Sequence, residues 1–391
     1  MSSTLSLFTP EPGVAGSPAA SRAAVFTRGL ENLLRTAEPA LDLRLQWLQP
    51  PGAQAPGQLG DWVVAARWSA GELRRILRDP SRYLLFVYPC LPVFAYVQEP
   101  SMLTRVRHGF QALSAKCRLT HQRIVVVVMD LPADMAEGEA IADGRAAELD
   151  TKRVRDIEQT LFRAAWRLIT PDGLSELISD RYSIEPARIR SFRRDPYPPS
   201  AASDTPPAID LETGNVNFFY SGPVDSQVAP NFREVLRSVR NAPATRLHVC
   251  GPGRDAVREW LTELDVPNVR HHGKLGIAEH DWLAQHCDVG LILYPFENPY
   301  YHLRPTLKYS AYLANGLAVL STDLRCVAEN IRRDRVGQSM PVRELALEVL
   351  RWATRPKLWT GAKARAAALS EEIRSGSPEM RAWIEEIAQD R

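Results

Sequence analysis

The sequence has few of the features that mark a secreted, membrane-spanning or metal-binding protein. Its five cysteines are scattered and form no C-x-x-C pair, so neither a disulfide framework nor a cysteine-ligated metal site is expected. No apolar run approaches the roughly 20 residues that cross a bilayer, and the first residues do not resemble a signal peptide. A net charge of +2 gives no general attraction to nucleic acid. These absences predict a cytoplasmic protein with reduced thiols and no nucleic-acid partner.

The length and composition predict two ordinary globular domains. The chain has 391 residues, of which 45% are hydrophobic and 24% charged, enough for two separate cores. Residues 195–210, DPYPPSAASDTPPAID, are too rich in Pro, Ser and Ala to pack into a core. We therefore expect one domain over 1–200, a second over 211–376, and a helical segment over 377–391.

Alternating strand and helix patterns predict an α/β fold with a doubly wound parallel sheet in each domain. The clearest strand is 123–130, RIVVVVMD, whose four consecutive valines are typical of a central strand buried on both faces. Further strands are predicted at 5–8, 43–48, 83–88 and 167–170, and in the second domain at 216–220, 246–250, 269–272, 289–293 and 317–320. Helices are predicted between most of these strands, and at 343–353, 362–373 and from Pro378 onwards.

One loop-helix segment in the second domain has the features of an anion site. Pro305 suits the first turn of a helix, which is predicted to end at Asn315-Gly316. The free N–H groups of the first turn and the helix dipole favour negative charge. Thr306 adds a hydroxyl and Lys308 a cation suited to phosphate. An ordinary crossover with a solvated Lys308 fits the same pattern equally well.

The same segment resembles a known motif. Residues 305–308 (PTLK) and 312–320 (YLANGLAVL) are similar to the P-x-K-x-x-E-Y-L-A-x-G-x-P-V-V/I block of GT-B glycosyltransferases of the family 4-like and glucuronosyltransferase-like kind. Three positions depart from it, with Ala311 in place of Glu and Thr306 and Ala318 in place of Pro. The resemblance implies two Rossmann-like domains facing a cleft, with a nucleotide-sugar diphosphate bound in the second. It also implies a last helix that packs back on the first domain.

The resemblance also implies a set of donor-binding residues. Gly222 would lie near the diphosphate, Gly251 and Lys274 near the nucleobase and ribose, and Tyr294 with the 298–304 loop near the sugar. Arg304, Thr306 and Lys308 would bind the diphosphate, and Lys308 would also act in catalysis. GT-B enzymes generally need no bound metal, and the sequence has no D-x-D motif in a metal-binding context. No metal or other cofactor is therefore expected.

Candidate acceptor and catalytic residues lie in the first domain. Asp130 follows the valine strand, where a carboxylate can act as a general base on an acceptor hydroxyl, and Asp134 is its neighbour. Capping of the following turn is an alternative role for Asp130. By resemblance, the loop containing Gly13 and Gly16 faces the acceptor; a plain turn is equally consistent. Glu158 resembles a helical Glu of related enzymes, although an exposed helix charge explains it equally well.

A local basic stretch over 102–123 is a candidate for peripheral membrane contact. Its basic residues are Arg105, Arg107, Lys116, Arg118 and Arg123, and its apolar residues are Met102, Leu103, Val106, Phe110 and Leu113. A basic amphipathic helix can lie on an anionic membrane. The alternative is a solvated face over a helix that packs on the core.

The resulting hypothesis is a metal-independent GT-B glycosyltransferase. It would move a sugar from a nucleotide diphosphate sugar, preferably a UDP sugar, to the hydroxyl of a glycan or lipid-linked acceptor in polysaccharide, glycolipid or glycoprotein assembly. A nucleotide-sugar 2-epimerase of the same architecture is one alternative. A catalytically inactive GT-B-like scaffold is the other, and Ala311 is its best support.

Overall fold

The structure is a computed structural model that describes residues 4–10, 18–37, 42–48, 74–88, 100–144, 151–199, 216–225, 227–252 and 254–389. The chain divides into two compact units. The first contains residues 1–193 and 376–391, and the second contains residues 194–375. The second unit is thus inserted, in sequence terms, into the first.

The first unit contains a six-stranded parallel sheet. Its strands are β1 (Thr4–Pro10), β2 (Asp42–Leu48), β3 (Tyr83–Tyr88), β4 (Arg123–Val128), β5 (Arg167–Pro171) and β6 (Ile189–Phe192). They are ordered β2-β1-β3-β4-β5-β6, a flavodoxin-like order extended by one strand. The valine-rich β4 pairs with both β3 and β5, and its valines are fully buried. The predicted central strand is confirmed, because residues buried on both faces can be apolar throughout.

The helices of the first unit cover this sheet. They are α1 (Pro18–Ala37), α2 (residues 74–78), α3 (Pro100–Thr120), α4 (Pro132–Asp143), α5 (Thr151–Ala164), α6 (Asp172–Tyr182) and α14 (Pro378–Gln389). Met380, Trp383 and Ile384 of α14 share a buried cluster with Leu30 and Leu33 of α1. The segment at 377–391 therefore supplies part of the core of the unit in which the chain starts.

Helix α3 corresponds to the predicted basic helix. Phe110 and Leu113, two of its predicted apolar residues, are buried inside the unit, so these two side chains are not available to a membrane surface. Lys116 Nζ donates to the backbone oxygen of Asp79 at 2.7 Å, and the Arg123 guanidinium lies 4.3 Å from the Trp166 ring centroid. Among the described residues, no helix is long and apolar enough to cross a membrane.

Glu158 of α5 is fully buried, so the interpretation as an exposed helix charge is wrong. Its carboxylate accepts hydrogen bonds from Tyr88 Oη at 2.9 Å and Tyr182 Oη at 2.5 Å. Burial raises the pKa of Glu158 to about 7, and the two hydrogen bonds oppose that shift without cancelling it. Glu158 is thus a buried carboxyl group that titrates near neutrality.

The second unit contains another six-stranded parallel sheet. Its strands are β7 (Val216–Ser221), β8 (Thr245–Cys250), β9 (Val269–Gly273), β10 (Val289–Ile292), β11 (Ala318–Thr322) and β12 (Gly337–Met340). The order is β12-β11-β10-β7-β8-β9, which is the Rossmann order. The chain leaves β7 first towards β9 and then towards β12, so the order reverses between β7 and β10, where ligands bind in such sheets.

The helices of the second unit lie between its strands and after the last strand in sequence. They are α7 (Ala229–Arg240), α8 (Arg254–Leu264), α9 (Ile277–Gln285), α10 (Leu307–Ala314), α11 (Arg325–Asp334), α12 (Val342–Thr354) and α13 (Lys357–Ser375). The sequence patterns did not predict α11 or β12. A similar omission in the first unit is α4. The four cysteines in the described ranges, Cys117, Cys250, Cys287 and Cys326, are buried free thiols.

A buried ion-pair cluster fixes the start of the second unit. The Arg194 guanidinium binds both carboxylate oxygens of Asp334, at 2.6 and 3.1 Å, and Glu372 at 2.6 Å. Tyr309 of α10 also donates to Asp334, at 2.7 Å. The side chains of Arg194 and Asp334 are 6% and 7% exposed, so each charge depends on its partner for stabilisation.

Candidate functional site

The two strands at the reversal point of the second sheet separate near their carboxyl ends. The pairing of β7 with β10 reaches Phe219 and Gly290. Beyond it, the Ser221 N–H donates to Tyr312 Oη at 3.1 Å, and Tyr312 Oη donates to the Leu291 carbonyl at 2.9 Å. The hydroxyl therefore bridges the two strands. A Cβ on Gly290 would lie 2.3 Å from the Tyr312 ring, so this glycine makes room for the bridge.

A row of glycines follows the neighbouring strand ends. The Gly222 N–H donates to the Cys250 carbonyl at 2.8 Å, and the Gly251 N–H donates to the Gly273 carbonyl at 2.9 Å. Gly222 and Gly251 have φ values of 137° and 143°, and a Cβ on Gly251 would lie 2.1 Å from Gly222 O. Only glycine fits this close backbone approach, and its lack of a side chain leaves the strand edge open to a ligand.

Helix α10 begins beside the end of β10. Its N-cap is Thr306, whose Oγ1 accepts the Lys308 N–H at 3.2 Å. Pro305 precedes this cap, so its predicted place in the first helical turn is wrong. The helix ends before Asn315-Gly316 as predicted, with Gly316 at φ 74°. Because the Thr306 hydroxyl accepts that bond, its proton remains able to donate to a ligand.

Lys308 lies over the glycine row. Its Nζ donates to Tyr294 Oη at 2.7 Å and lies 4.2 Å from the Tyr294 ring centroid and 5.5 Å from that of Tyr220. A Cβ placed on Gly222 would be 2.7 Å from the same nitrogen. No carboxylate in the described part of the chain lies within ion-pairing distance of it. The cation is therefore held by aromatic rings and a hydroxyl beside the Gly222 backbone, with no described carboxylate paired to it, an arrangement suited to an anion.

Two other predicted donor residues are placed differently. Arg304 is buried, and its guanidinium lies 5.7 Å from the Tyr300 ring centroid. Lys274 is exposed and follows Gly273 directly in sequence. The structure thus brings together Gly222, Gly251, Tyr294, Thr306 and Lys308. Lys274 and Arg304 lie between members of this group in sequence, but neither is joined to it by the contacts described above.

The predicted acceptor residues belong to the first unit. Asp130 is partly buried between β4 and α4. Asp134, in the first turn of α4, forms ion pairs with Arg181 of α6 and, at 3.8 Å, with Arg155 of α5. These contacts favour a structural role for Asp134, which joins three helices. Gly13 and Gly16 lie outside the described residues.

The sequence patterns did not predict the roles of several side chains at this edge. Tyr312 was predicted only as part of the helix and of the motif segment 312–320, whereas in the structure its hydroxyl bridges the separating strands. His280 and Asp281 of α9 were not considered, although His280 Nε2 lies 2.9 Å from Ser221 Oγ. Their only sequence signal is a His-Asp pair near the start of a helix that follows a strand. No group of three or more potential metal ligands occurs among the described residues.

Comparisons with known proteins show similarity in structure but not in sequence. No protein-family model matches the sequence, and no match to a curated protein was found. The structure is similar over 98% of both chains to WaaG, a glycosyltransferase involved in lipopolysaccharide biosynthesis, with 13% identity and a TM-score of 0.58. It is similar over 98% of both chains to sucrose-phosphate synthase from Thermosynechococcus elongatus, with 12% identity and a TM-score of 0.67.

A third similar structure contains ligands. HepE from Anabaena, solved in complex with UDP and glucose, matches over 100% of both chains with 10% identity and a TM-score of 0.63. These matches span 98–100% of each chain, and both six-stranded parallel sheets agree with the predicted architecture. The chain has the GT-B fold, with two Rossmann-like α/β units.

Proposed function

We propose that this protein is a GT-B glycosyltransferase that transfers a sugar from a nucleoside diphosphate sugar to an acceptor hydroxyl. The observation that carries the proposal is the position of Lys308. Its ammonium lies beside Gly222 at the strand reversal of the second sheet, next to the first turn of α10. The similar fold of HepE, which was solved with UDP and glucose bound, supports a nucleoside diphosphate as the proposed ligand.

The proposed role of the site is to stabilise the leaving group. Cleavage of the bond between sugar and diphosphate leaves negative charge on the phosphate oxygens. Lys308 and the N-terminus of α10 are fixed in place before the reaction, so they stabilise that charge with little reorganisation. Tyr294 orients the ammonium through its hydrogen bond of 2.7 Å. Thr306 retains a hydroxyl proton that can be donated to a phosphate oxygen.

For the acceptor side, we propose Asp130 as the general base of an inverting transfer. It lies beyond the carboxyl end of the central strand β4, the edge at which ligands bind in open α/β sheets. A carboxylate there can take the proton of an attacking hydroxyl. The proposed acceptor is a glycan or lipid-linked glycan, and the proposed location is cytoplasmic. Asp134 is not part of this proposal, because Arg155 and Arg181 already bind it.

Calorimetry and turnover assays test the proposal together. Wild-type protein is titrated with UDP, GDP, ADP and their glucose conjugates, and the best ligand is then incubated with acceptor glycans. A transferase releases nucleoside diphosphate only when an acceptor is present. Conversion of the donor to its C2 epimer without an acceptor would identify the epimerase instead. Absence of binding by every nucleotide would leave the inactive scaffold, which fits the replacement of the family's Glu by Ala311.

A matched pair of variants tests the proposed base. Asp130→Asn keeps the size and hydrogen-bonding atoms of the side chain but removes its basicity, so turnover falls by roughly 10²–10⁴-fold while donor affinity stays unchanged. Asp134→Asn is the neighbouring control, and it is expected to lower stability more than turnover because the charge that binds Arg155 and Arg181 is lost. Equal activity of Asp130→Asn and wild type would remove Asp130 from the mechanism.

A further inference from the structure

A hydrogen-bonded chain of three side chains ends next to the proposed diphosphate site. Ser221 is the last residue of β7 and directly precedes Gly222. Its Oγ lies 2.9 Å from His280 Nε2, and His280 Nδ1 lies 3.3 Å from Asp281 Oδ1. The imidazole also packs against the Phe219 ring, with centroids 5.2 Å apart. Asp281 and His280 thus form a hydrogen-bonded line that leads to Ser221. The next residue, Gly222, belongs to the proposed anion site.

The buried end of this chain is a fixed negative charge. Asp281 is fully buried and accepts hydrogen bonds from Tyr197 Oη at 2.6 Å and Asn315 Nδ2 at 3.0 Å. The Arg374 guanidinium lies 3.4 Å from its other oxygen. Burial alone would raise the pKa of Asp281, but the hydrogen bonds from His280 and Tyr197 and the charge of Arg374 outweigh it and lower that pKa. Asp281 therefore remains ionised at neutral pH and only accepts hydrogen bonds.

The charge on Asp281 determines the direction of the other bonds. Because a carboxylate can only accept, His280 Nδ1 must carry a proton. In the neutral ring Nε2 is then an acceptor, so the Ser221 hydroxyl donates a hydrogen bond to Nε2. When the ring is protonated, Nε2 donates to Ser221 Oγ instead. The serine proton is then free to be donated elsewhere, and a positive charge has appeared behind it.

We propose that Ser221 is a further ligand of the donor diphosphate and that His280 is the positioning residue that releases its hydroxyl proton, so that donor binding takes up a proton. This inference rests on the proposed function, because it assigns a second phosphate ligand to the same site. Ser221 would complement Lys308, which approaches Gly222 from α10. Binding of the diphosphate and protonation of His280 favour each other, because the two groups carry opposite charges.

The other groups near the imidazole do not supply this proton. On α9 itself the contacting ionisable group is Asp281. From β7 the ring meets Phe219 and Ser221. From α10, Tyr312 binds the Ser221 amide, and burial raises its pKa, so it stays protonated. Lys308, also from α10, has its ammonium beside Gly222, the residue that follows Ser221.

The test is calorimetry across pH with the glucose conjugate of UDP, GDP or ADP that binds best to wild type. Both phosphates of such a donor are esterified, so the ligand lacks the phosphomonoester ionisation that occurs near pH 6. Titrations in buffers of different ionisation enthalpy count the protons taken up. Wild type is expected to take up as much as one proton per bound ligand. It is also expected to bind the ligand roughly tenfold more tightly near pH 5.5 than near pH 8.

Three variants assign the effect. His280→Gln keeps a hydrogen-bonding side chain but cannot be protonated, so proton uptake and the low-pH gain in affinity are lost. Ser221→Ala retains the ring and loses most of the low-pH gain. His286→Gln, at the exposed carboxyl end of the same helix, is the matched control and behaves as wild type. Thermal unfolding checks that each variant is folded.

The outcomes separate the two proposals. Failure of wild type to bind any nucleotide sugar refutes the proposed function and this inference with it. Tight binding by wild type with proton uptake that persists in His280→Gln refutes the inference alone. Equal loss of affinity at every pH in His280→Gln and Ser221→Ala, without a change in the pH profile, would mean that the chain has only a structural role.

Discussion

Replacement of Lys308 by alanine is the most direct test of the anion site. The substitution removes a partly buried ammonium that donates to Tyr294 Oη and faces two tyrosine rings. No ion-paired carboxylate among the described residues compensates its charge, so a bound diphosphate would be its natural counterion. A hydrogen bond to a charged group contributes about 1.5–3 kcal/mol. We therefore expect nucleotide affinity to fall by roughly 10- to 150-fold.

The assay is calorimetric titration with UDP, at low and at physiological salt. Lys308→Arg is expected to keep part of the affinity, because the charge remains while its position changes. Tyr294→Phe tests the orienting hydroxyl. It should cost less than Lys308→Ala, and the double variant should cost less than the sum, because both changes act on one ammonium. Lys357→Ala removes an exposed lysine at the start of α13 and is the control for a general charge effect.

The stability of Lys308→Ala provides the necessary check. Since the ammonium is not part of a described ion pair, its loss should change the unfolding temperature little. Unchanged UDP affinity in a folded Lys308→Ala variant would refute the placement of the diphosphate at α10. An equal loss in Lys357→Ala would show that net charge, rather than this site, governs binding.

Three further predictions concern stability. Gly251→Ala should destabilise the second unit by about 1–3 kcal/mol, since a Cβ would lie 2.1 Å from Gly222 O; Gly361→Ala in α13 should be neutral or slightly stabilising, and equal urea midpoints for both would contradict the argument. Glu158 has its pKa raised from 4.5 to about 7, so the unfolded state loses this proton first and stability falls by up to about 3 kcal/mol as pH rises between these values. Glu158→Gln should abolish that part of the pH dependence in urea unfolding, and an unchanged profile would exclude Glu158 as its source. Arg194→Met should cost about 3–5 kcal/mol, because it leaves the buried Asp334 charge without its main partner; an unaltered thermal midpoint would show that the pair contributes little.

Much of the fold was predictable because buried parallel strands have a strong sequence signal. The four valines of β4 and the apolar runs of β3 and β7 must be buried on both faces, and they are. Elements with weaker signals were missed. Strand β12 reads GQSM and is only partly buried at the sheet edge, so it lacks both the apolar run and the alternation that identify a strand. Helix α11 contains five charged residues among ten, which obscured its apolar side.

The candidate site was predictable only where a motif marked it. The start of a helix near Pro305 and the cation at Lys308 could be located from the sequence, although the helix begins after Thr306 rather than at Pro305. The Tyr312 bridge could not, because it depends on the distance at which β7 and β10 separate. The same holds for Ser221 and His280, which lie 59 positions apart. Asp134 illustrates the converse, since its sequence position suggested a ligand contact and gave no sign that Arg155 and Arg181 pair with one of its oxygens.

The contribution of α14 to the first core has a consequence for biosynthesis. Synthesis proceeds from the amino terminus, so residues 1–193 emerge long before Met380, Trp383 and Ile384, which complete their packing. The inserted unit at 194–375 is continuous and has all of its strands available earlier. The unit that emerges first from the ribosome is thus the last to receive all of its core residues, and Leu30 and Leu33 lack the contribution of α14 throughout that delay.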